Sequence, residues 1–173
     1  MLVHPMRLMR RDLFDFADPK LALSAQRARL RVRDEGDKLT VTFKKALPGS
    51  IYSDEIETTV GSYSVMKDLL KAIGLDVKTH QESKRETWHL DDVEVVIDVW
   101  PWINPYIEIE GKSEDAIQAA AAKLGFDWTK ATFGSVEAAY RAEYPKMTDD
   151  EEIGAIPEVI FGAELPEYLI KRQ

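Results

Sequence analysis

The sequence contains no cysteine and no long hydrophobic run. Without cysteine among its 173 residues, the chain can form neither disulfide bonds nor thiolate metal sites. No apolar segment approaches 18 residues, so we expect no transmembrane helix and no membrane partner. The opening segment, MLVHPMRLMRRDLFDF, lacks the apolar centre and small-residue cleavage site of a signal peptide. We therefore expect a cytoplasmic protein.

Basic charge is in the minority, but it is unevenly placed. The 31 acidic and 23 basic residues give a net charge of −8, which argues against a nucleic-acid partner. Seven arginines nevertheless lie between Arg7 and Arg33, whereas residues 146–167 hold one lysine against seven carboxylates. The concentration of arginine indicates a local role or a local partner for the basic charge.

Alternating apolar and polar residues predict that strands dominate the chain. The runs that alternate are 27–33, 38–44, 53–60, 77–90, 93–100 and 105–110. The turn-rich tetrapeptide DEGD between the first two runs predicts a hairpin. Helical spacing predicts helices at 64–74, 113–125 and 135–144, and the acidic residues from 145 to about 167 are expected to be irregular and mobile. The fold class is therefore α+β, with a strongly curved antiparallel sheet or a β-barrel.

Each predicted strand has one apolar face and one charged face. Arginine and lysine occupy the charged face within residues 27–44, whereas the carboxylates lie on 55–57, 94–98 and 108–110. In an open antiparallel sheet, a charged face of this kind is usually a solvated outer face. Segregation of the signs by strand, on a sheet long enough to curl, favours an inward-facing tunnel with basic and acidic walls. Such walls suit a polyphosphate held by arginine and by divalent cations on carboxylates.

Several segments, in this order, resemble one known family. MRLMRRDLFDF, RLRVRDEGDKLTVTFKK, EIETTV, KRETWHL, VEVVIDVWPWINPYIEIEG and LGFDW are similar to the CYTH superfamily of triphosphate tunnel metalloenzymes. This superfamily includes class IV adenylyl cyclases, thiamine triphosphatases and inorganic triphosphatases. The resemblance implies a single domain over residues 1–173, with an antiparallel β-tunnel at about 7–144, helices packed outside it, and an acidic C-terminal extension at 145–173.

The resemblance also implies an activity and a set of site residues. We expect metal-dependent hydrolysis of inorganic triphosphate, ATP or thiamine triphosphate, with Mg²⁺ or Mn²⁺ as cofactor. Conversion of ATP to cyclic AMP and a non-catalytic polyphosphate-binding module are the alternatives. The triphosphate ligands would be Arg31, Arg33, Lys44, Arg85, Lys84 and Arg11 (or its neighbour Arg10). The metal ligands would be Glu55, Glu57, Asp98, Glu108 and Glu110, of which Asp98, Glu108 and Glu110 would be catalytic.

The opening residues depart from the family pattern. Family members begin with a Glu-x-Glu-x-Lys strand and a helix, and we expect this first strand to be missing here. Truncation of the gene start, replacement of the strand by another chain, and loss of catalysis are three explanations. A tunnel without one strand would expose two edges, so a homodimer is a possible partner arrangement.

Overall fold

The computed structural model describes residues 1–49, 53–148 and 151–171. Its strands are β1 Leu2–Phe16, β2 Ala28–Asp34, β3 Leu39–Ala46, β4 Ser53–Thr59, β5 Leu75–Leu90, β6 Val93–Val99, β7 Tyr106–Glu110 and β8 Glu158–Val159. Its α-helices are α1 Tyr63–Ala72, α2 Glu114–Lys123, α3 Val136–Glu143 and α4 Glu167–Ile170. Short 3-10 helices cover Ser24–Gln26, Trp128–Lys130 and Ile153–Ala155.

The strands form one eight-stranded sheet in the order β4-β3-β2-β1-β5-β6-β7. The β1–β2, β2–β3, β3–β4, β5–β6 and β6–β7 pairs are antiparallel, and β8 pairs with β5 in parallel. This confirms the α+β class and the antiparallel sheet. Closure into a tunnel and the absence of a first strand stay predictions. Among the described residues, no helix is both long and apolar enough to cross a bilayer.

The chain divides into two compact units. Unit 1 contains Met1–Leu8, Ser83–Met147 and Glu164–Gln173, and unit 2 contains Met9–Glu82 and Thr148–Ala163. The two long strands β1 and β5 contribute residues to both units.

In unit 2, helix α1 packs on the apolar face of the sheet. Phe14, Val32, Leu70 and Leu75 form its buried core. Directly paired residues of antiparallel strands lie on the same face, and Asp12 pairs with Val32. Asp12 is therefore a fully buried carboxylate on this face. It forms an ion pair with Lys67 of α1, and His80 Nδ1 lies 2.6 Å from Asp12 Oδ1. We call the side of the unit 2 sheet that contacts α1 the helix face.

In unit 1, helix α2 packs on strands β6 and β7. Its core contains Val93, Val95 and Ala120, with Ile117 packed against them. The Ser113 hydroxyl caps α2 by accepting a hydrogen bond from Ala116 N. A Cβ added to Gly111 would lie 2.8 Å from Val93 Cγ1, so the close approach of the strand and the helix requires glycine there. Both helices thus cover apolar strand faces, as expected from the alternation.

Strand β1 is the main element that the alternation pattern does not predict. Its sequence, LVHPMRLMRRDLFDF, has adjacent arginines and a proline that interrupt a period of two. Its burial follows from its position in the sheet order between β2 and β5 rather than from a local apolar stripe. Long-range pairing therefore overrides a weak local pattern.

The acidic C-terminal stretch is more ordered than its composition predicts. Ile153 and Val159 are fully buried, and His80 N donates to Pro157 O where β8 meets β5. Phe161 N donates to Glu82 Oε2, 3.3 Å away. The described part of residues 145–167 is mostly irregular, as expected, but two apolar anchors and a strand pair attach it to unit 2. Its mobility stays a prediction.

Ile153→Ala should reduce the free energy of unfolding by about 2 to 4 kcal/mol, because it leaves a cavity at a fully buried position. Ile170→Ala is the matched control. The Ile170 side chain is about half exposed, so this change should cost less than about 1 kcal/mol. Urea unfolding measures both, and equal effects would contradict the anchoring role of Ile153.

Candidate functional site

Strands β1 to β4 place a set of charged side chains on the side opposite the helix face. Arg11 pairs with Arg33 and Leu13 pairs with Arg31. Arg33 in turn pairs with Thr40. We call the set of residues that lie on this side the polar face of unit 2. They are Arg11, Leu13, Arg29, Arg31, Arg33, Thr40, Thr42, Lys44, Glu55, Glu57 and Thr59. Thr40 and Thr42 are fully buried, so the polar side of β3 is more enclosed than the apolar side.

One row of this face crosses three strands. Arg31 pairs with Thr42, and Thr42 pairs with Glu57. Arg31 Nε donates to Thr42 Oγ1 at 3.2 Å, and Thr42 Oγ1 donates to Glu57 Oε2 at 2.7 Å. Burial tends to raise the pKa of Glu57, but the Thr42 hydrogen bond and the charges of Arg31 and Arg33 outweigh it and lower that pKa. Glu57 is therefore a carboxylate held ionised between basic groups.

The neighbouring rows hold the other basic residues of the face. Lys44 Nζ lies 2.8 Å from Glu55 Oε2. Arg11 Nε donates to Gln81 Oε1 at 2.7 Å, and Gln81 is fully buried. The structure thus brings four of the expected triphosphate ligands, namely Arg11, Arg31, Arg33 and Lys44, onto one face of one unit.

Arg33 is held differently, by a residue of the turn that follows β2. Its Nε and Nη2 donate to Glu35 Oε1 at 3.0 and 2.6 Å, and Glu35 is buried. Lys38 Nζ lies 3.7 Å from the second Glu35 oxygen. From the sequence alone, Glu35 is recognised only as a turn residue of DEGD. Its ion pair with Arg33 is not predicted, because Arg33 belongs to the strand and Glu35 to the turn.

Unit 1 carries a second charged group, on strands β5, β6 and β7. Arg85 donates to both carboxylate oxygens of Asp98, at 2.7 and 2.6 Å, and to Glu108 Oε2 at 3.0 Å. Glu108 pairs with Val96 and Glu110 with Glu94, so alternation places Asp98, Glu108 and Glu110 on one face of the sheet. We call these three residues the carboxylate cluster.

The carboxylate cluster is partly buried and electrostatically crowded. Asp98 is only 1% exposed. Burial raises the pKa of Glu108, the Asp98 charge raises it further, and Arg85 opposes both. Burial tends to lower the pKa of Arg85, but its carboxylate partners, Asp98 first, raise it overall, so the guanidinium stays charged. One arginine therefore compensates several acidic groups.

The donors of this cluster fit a hard divalent cation. Carboxylate oxygens suit Mg²⁺ and Mn²⁺, and a cation would offset the Asp98 charge that, after burial, raises the pKa of Glu108. No group of three or more His, Asp or Glu side chains is close enough to enclose a metal within the described parts of the chain. Mg²⁺ commonly uses one or two carboxylates together with substrate phosphates and water, so the donor set is sufficient for a shared site.

Two groups of expected site residues are placed differently from the rest. Lys84 pairs with Val99 and lies on the opposite face of β5 from Arg85, so we do not assign it to the site. Glu55 and Glu57, expected as metal ligands, lie against Lys44 and Thr42. Their metal role stays a prediction.

Helix α3 and the residue after it form hydrogen bonds with the loop between β6 and β7. The sequence does not predict these contacts. Tyr140 Oη donates to Pro101 O at 2.7 Å, and Tyr144 Oη donates to Trp102 O at 2.6 Å. Asn104 Nδ2 donates to Glu143 Oε1 at 2.6 Å. Trp102 has a φ of 67°, which is strained for a bulky residue. These contacts fix the loop that joins Asp98 to the strand of Glu108.

Asp15 fixes the chain between β1 and β2, before the arginines of the polar face. Its carboxylate accepts from Phe16 N, Leu23 N, and the Ser24 amide and hydroxyl. Burial tends to raise the pKa of Asp15, but the hydrogen bonds, led by the Ser24 hydroxyl, lower it overall. A lowered folded pKa means that the ionised carboxylate stabilises the protein above the unfolded pKa, about 3.9, and less as pH falls through the folded pKa.

Asp15→Asn should therefore lower the free energy of unfolding by about 1 to 3 kcal/mol at pH 7, and by progressively less below about pH 4. Urea unfolding at pH 7, 4 and 3 measures the difference from the wild type. Asp18→Asn, at an exposed carboxylate that accepts one hydrogen bond from Lys20 N, should show a small difference. A loss for Asp15→Asn that is constant from pH 7 to pH 3 would contradict the assignment.

The comparison with protein families agrees with this arrangement. The family model described as the CYTH domain matches residues 11–133. The chain belongs to the CYTH family. This match contains every expected site residue of the CYTH protein, from Arg11 to Glu110. Among curated proteins, no sequence matches it significantly.

Solved structures show the same fold at low sequence identity. A candidate adenylate cyclase from Vibrio parahaemolyticus has a TM-score of 0.67 and 12% identity, with 79% of this CYTH chain and 81% of that chain covered. A conserved hypothetical protein from Pyrococcus furiosus has a TM-score of 0.61, 19% identity, and coverages of 79% and 86%. A candidate adenylyl cyclase from Hippeastrum, described as having a dominant triphosphatase activity, has a TM-score of 0.53, 15% identity, and coverages of 75% and 80%.

Proposed function

We propose that this CYTH protein hydrolyses a triphosphate in a metal-dependent reaction. The substrate class is inorganic triphosphate or an organic triphosphate such as ATP or thiamine triphosphate. With inorganic triphosphate, water attacks the terminal phosphorus, the bond to the bridging oxygen breaks, and the products are diphosphate and phosphate. The family membership supports this reaction class, and the Hippeastrum relative is described with the same activity.

The observation that carries the proposal is the concentration of basic side chains on the polar face of unit 2. Arg11, Arg31, Arg33 and Lys44 share the polar face, and the fully buried Thr40 and Thr42 lie among them. The Thr42 hydroxyl is covered by its hydrogen-bond partners Arg31 and Glu57, so the charged side chains pack closely together on this face. Guanidinium and ammonium groups in a partly water-excluded place bind phosphate oxygens strongly. Phosphoryl transfer needs mainly such positioning and charge neutralisation.

The carboxylate cluster of unit 1 supports the metal dependence. Asp98, Glu108 and Glu110 would hold Mg²⁺ or Mn²⁺, which when bound supplies positive charge to the phosphate oxygens. Arg85 keeps Asp98 and Glu108 oriented through three hydrogen bonds of 2.6 to 3.0 Å.

A substrate panel tests the proposal. The protein is incubated with inorganic triphosphate, ATP and thiamine triphosphate, each with Mg²⁺, with Mn²⁺ and with a chelator, and phosphate, diphosphate and cyclic AMP are measured. We expect metal-dependent phosphate release that Glu110→Ala abolishes. Lys112→Ala, an exposed neighbour beyond the end of β7, is the matched control and should retain the activity.

Two results would replace the proposal with an alternative. Formation of cyclic AMP and diphosphate from ATP, without phosphate release, would identify an adenylyl cyclase. Tight binding of triphosphate without turnover of any substrate would identify a binding module.

A further inference from the structure

Two arginines of the polar face are anchored through Nε by neutral side chains. Arg31 Nε donates to Thr42 Oγ1 at 3.2 Å, and Arg11 Nε donates to Gln81 Oε1 at 2.7 Å. Both acceptors are fully buried. Burying a polar group costs free energy that burying an apolar side chain does not. At each of these two positions, the hydrogen bond to arginine offsets that cost.

A neutral acceptor orients an arginine without adding a negative charge of its own. The five N–H donors of a guanidinium lie in one rigid plane, so fixing Nε sets the direction of both terminal NH₂ groups. Two other expected triphosphate ligands donate to anions instead: Arg33 donates to Glu35, and Arg85 donates to Asp98 and Glu108. A carboxylate acceptor orients the group equally well but offsets the charge that a phosphate would bind.

The Thr42 hydroxyl is itself fixed in direction. Its single proton goes to Glu57 Oε2 at 2.7 Å, so a lone pair of the oxygen faces Arg31 Nε. Arg31 Nη2 also forms ion pairs with the same Glu57 oxygen at 3.6 Å and with Glu55 Oε1 at 4.0 Å, both longer than a hydrogen bond. Thr42 therefore joins the arginine and the carboxylate through its own oxygen.

We propose that Thr42 and Gln81 are positioning residues that aim the guanidinium groups of Arg31 and Arg11 at a phosphate-bearing ligand. This inference rests on the proposed triphosphate substrate and adds two residues to its site. Both act through the arginines and neither needs to contact the substrate. The sequence signal is weak, because threonine is a common strand residue and Gln81 has no charge.

The test compares Thr42→Val, which removes the hydroxyl at constant shape, with Thr42→Ser, which restores it. Thr58→Val makes the same change on the helix-face side of β4, where Thr58 pairs with Val41. Calorimetry measures the Kd for inorganic triphosphate with Mg²⁺. We expect a rise of about tenfold for Thr42→Val, about twofold or less for Thr42→Ser, and no change for Thr58→Val. Gln81→Met should behave like Thr42→Val.

An NMR measurement without any ligand separates this inference from the proposed function. The Nε–H signal of Arg31 should exchange slowly with water in the wild type and in Thr42→Ser, and rapidly in Thr42→Val. Unchanged exchange in Thr42→Val overturns the positioning role, whether or not triphosphate binds. Failure of the wild type to bind triphosphate, with the exchange pattern as expected, overturns the proposed function and leaves the arginine anchors in place. Loss of binding that Thr42→Ser does not restore counts against the inference.

Discussion

Arg85→Met is expected to destabilise the protein by about 3 to 5 kcal/mol. Arg85 makes three hydrogen bonds to Asp98 and Glu108, and Asp98 is only 1% exposed. Removing the guanidinium leaves a buried carboxylate without its counter-charge, while methionine keeps most of the apolar stem. Denaturant unfolding at pH 7 measures the loss, and the double variant with Asp98→Asn should recover part of it because the uncompensated charge is gone.

Arg10→Met is the matched control for Arg85→Met. Arg10 lies on strand β1 and forms an ion pair with Glu82 at 3.3 Å, but its side chain is 53% exposed. Exposed ion pairs contribute little, so we expect a change below about 1 kcal/mol. If Arg85→Met were as mild as Arg10→Met, the carboxylate cluster would not be held by Arg85.

Lys44→Ala is expected to reduce kcat/KM for triphosphate hydrolysis by about 100-fold. Lys44 lies on the polar face, beside Glu55, and supplies a positive charge to a partly enclosed site. Loss of one such group in a preorganised site typically costs two to three powers of ten. Initial rates of phosphate release over a range of substrate concentrations give kcat/KM for the variant and the wild type.

Lys45→Ala provides an adjacent control on the opposite side of the sheet. Lys45 is exposed and pairs with Ala28 and Asp54, so its side chain projects on the helix-face side. We expect kcat/KM within about twofold of the wild type. A similar loss in both variants would mean that the general charge of the strand matters, and that the polar face has no specific role.

The sequence predicts the hairpin of β2 and β3 because its causes are local. Alternation specifies the faces, and DEGD specifies the turn. The register places Arg31, Arg33 and Lys44 on one face, as the pattern requires. The family resemblance, expected over about residues 7–144, is confirmed by the match over residues 11–133. The sequence therefore predicts correctly which side chains share a strand face wherever apolar and polar residues alternate without interruption.

Other features depend on partners distant in sequence. Asp12 is buried because Lys67 and His80 reach it from α1 and β5, and no local pattern marks that contact. Ile153 and Val159 are isolated apolar residues in an acidic stretch, and only their burial in the folded chain shows that they are anchors. The neutral anchors Thr42 and Gln81 are similarly recognised only when the arginine Nε contacts are known.

Calorimetric titration of the protein with inorganic triphosphate in the presence of Mg²⁺ tests the central claim most directly. The claim is that the basic polar face of unit 2 binds a triphosphate ligand. We expect wild-type binding with a Kd in the micromolar range, weakened at least about tenfold by Lys44→Ala and left within about twofold by Lys45→Ala. Absence of binding at millimolar triphosphate, or binding that Lys44→Ala does not weaken, would contradict it.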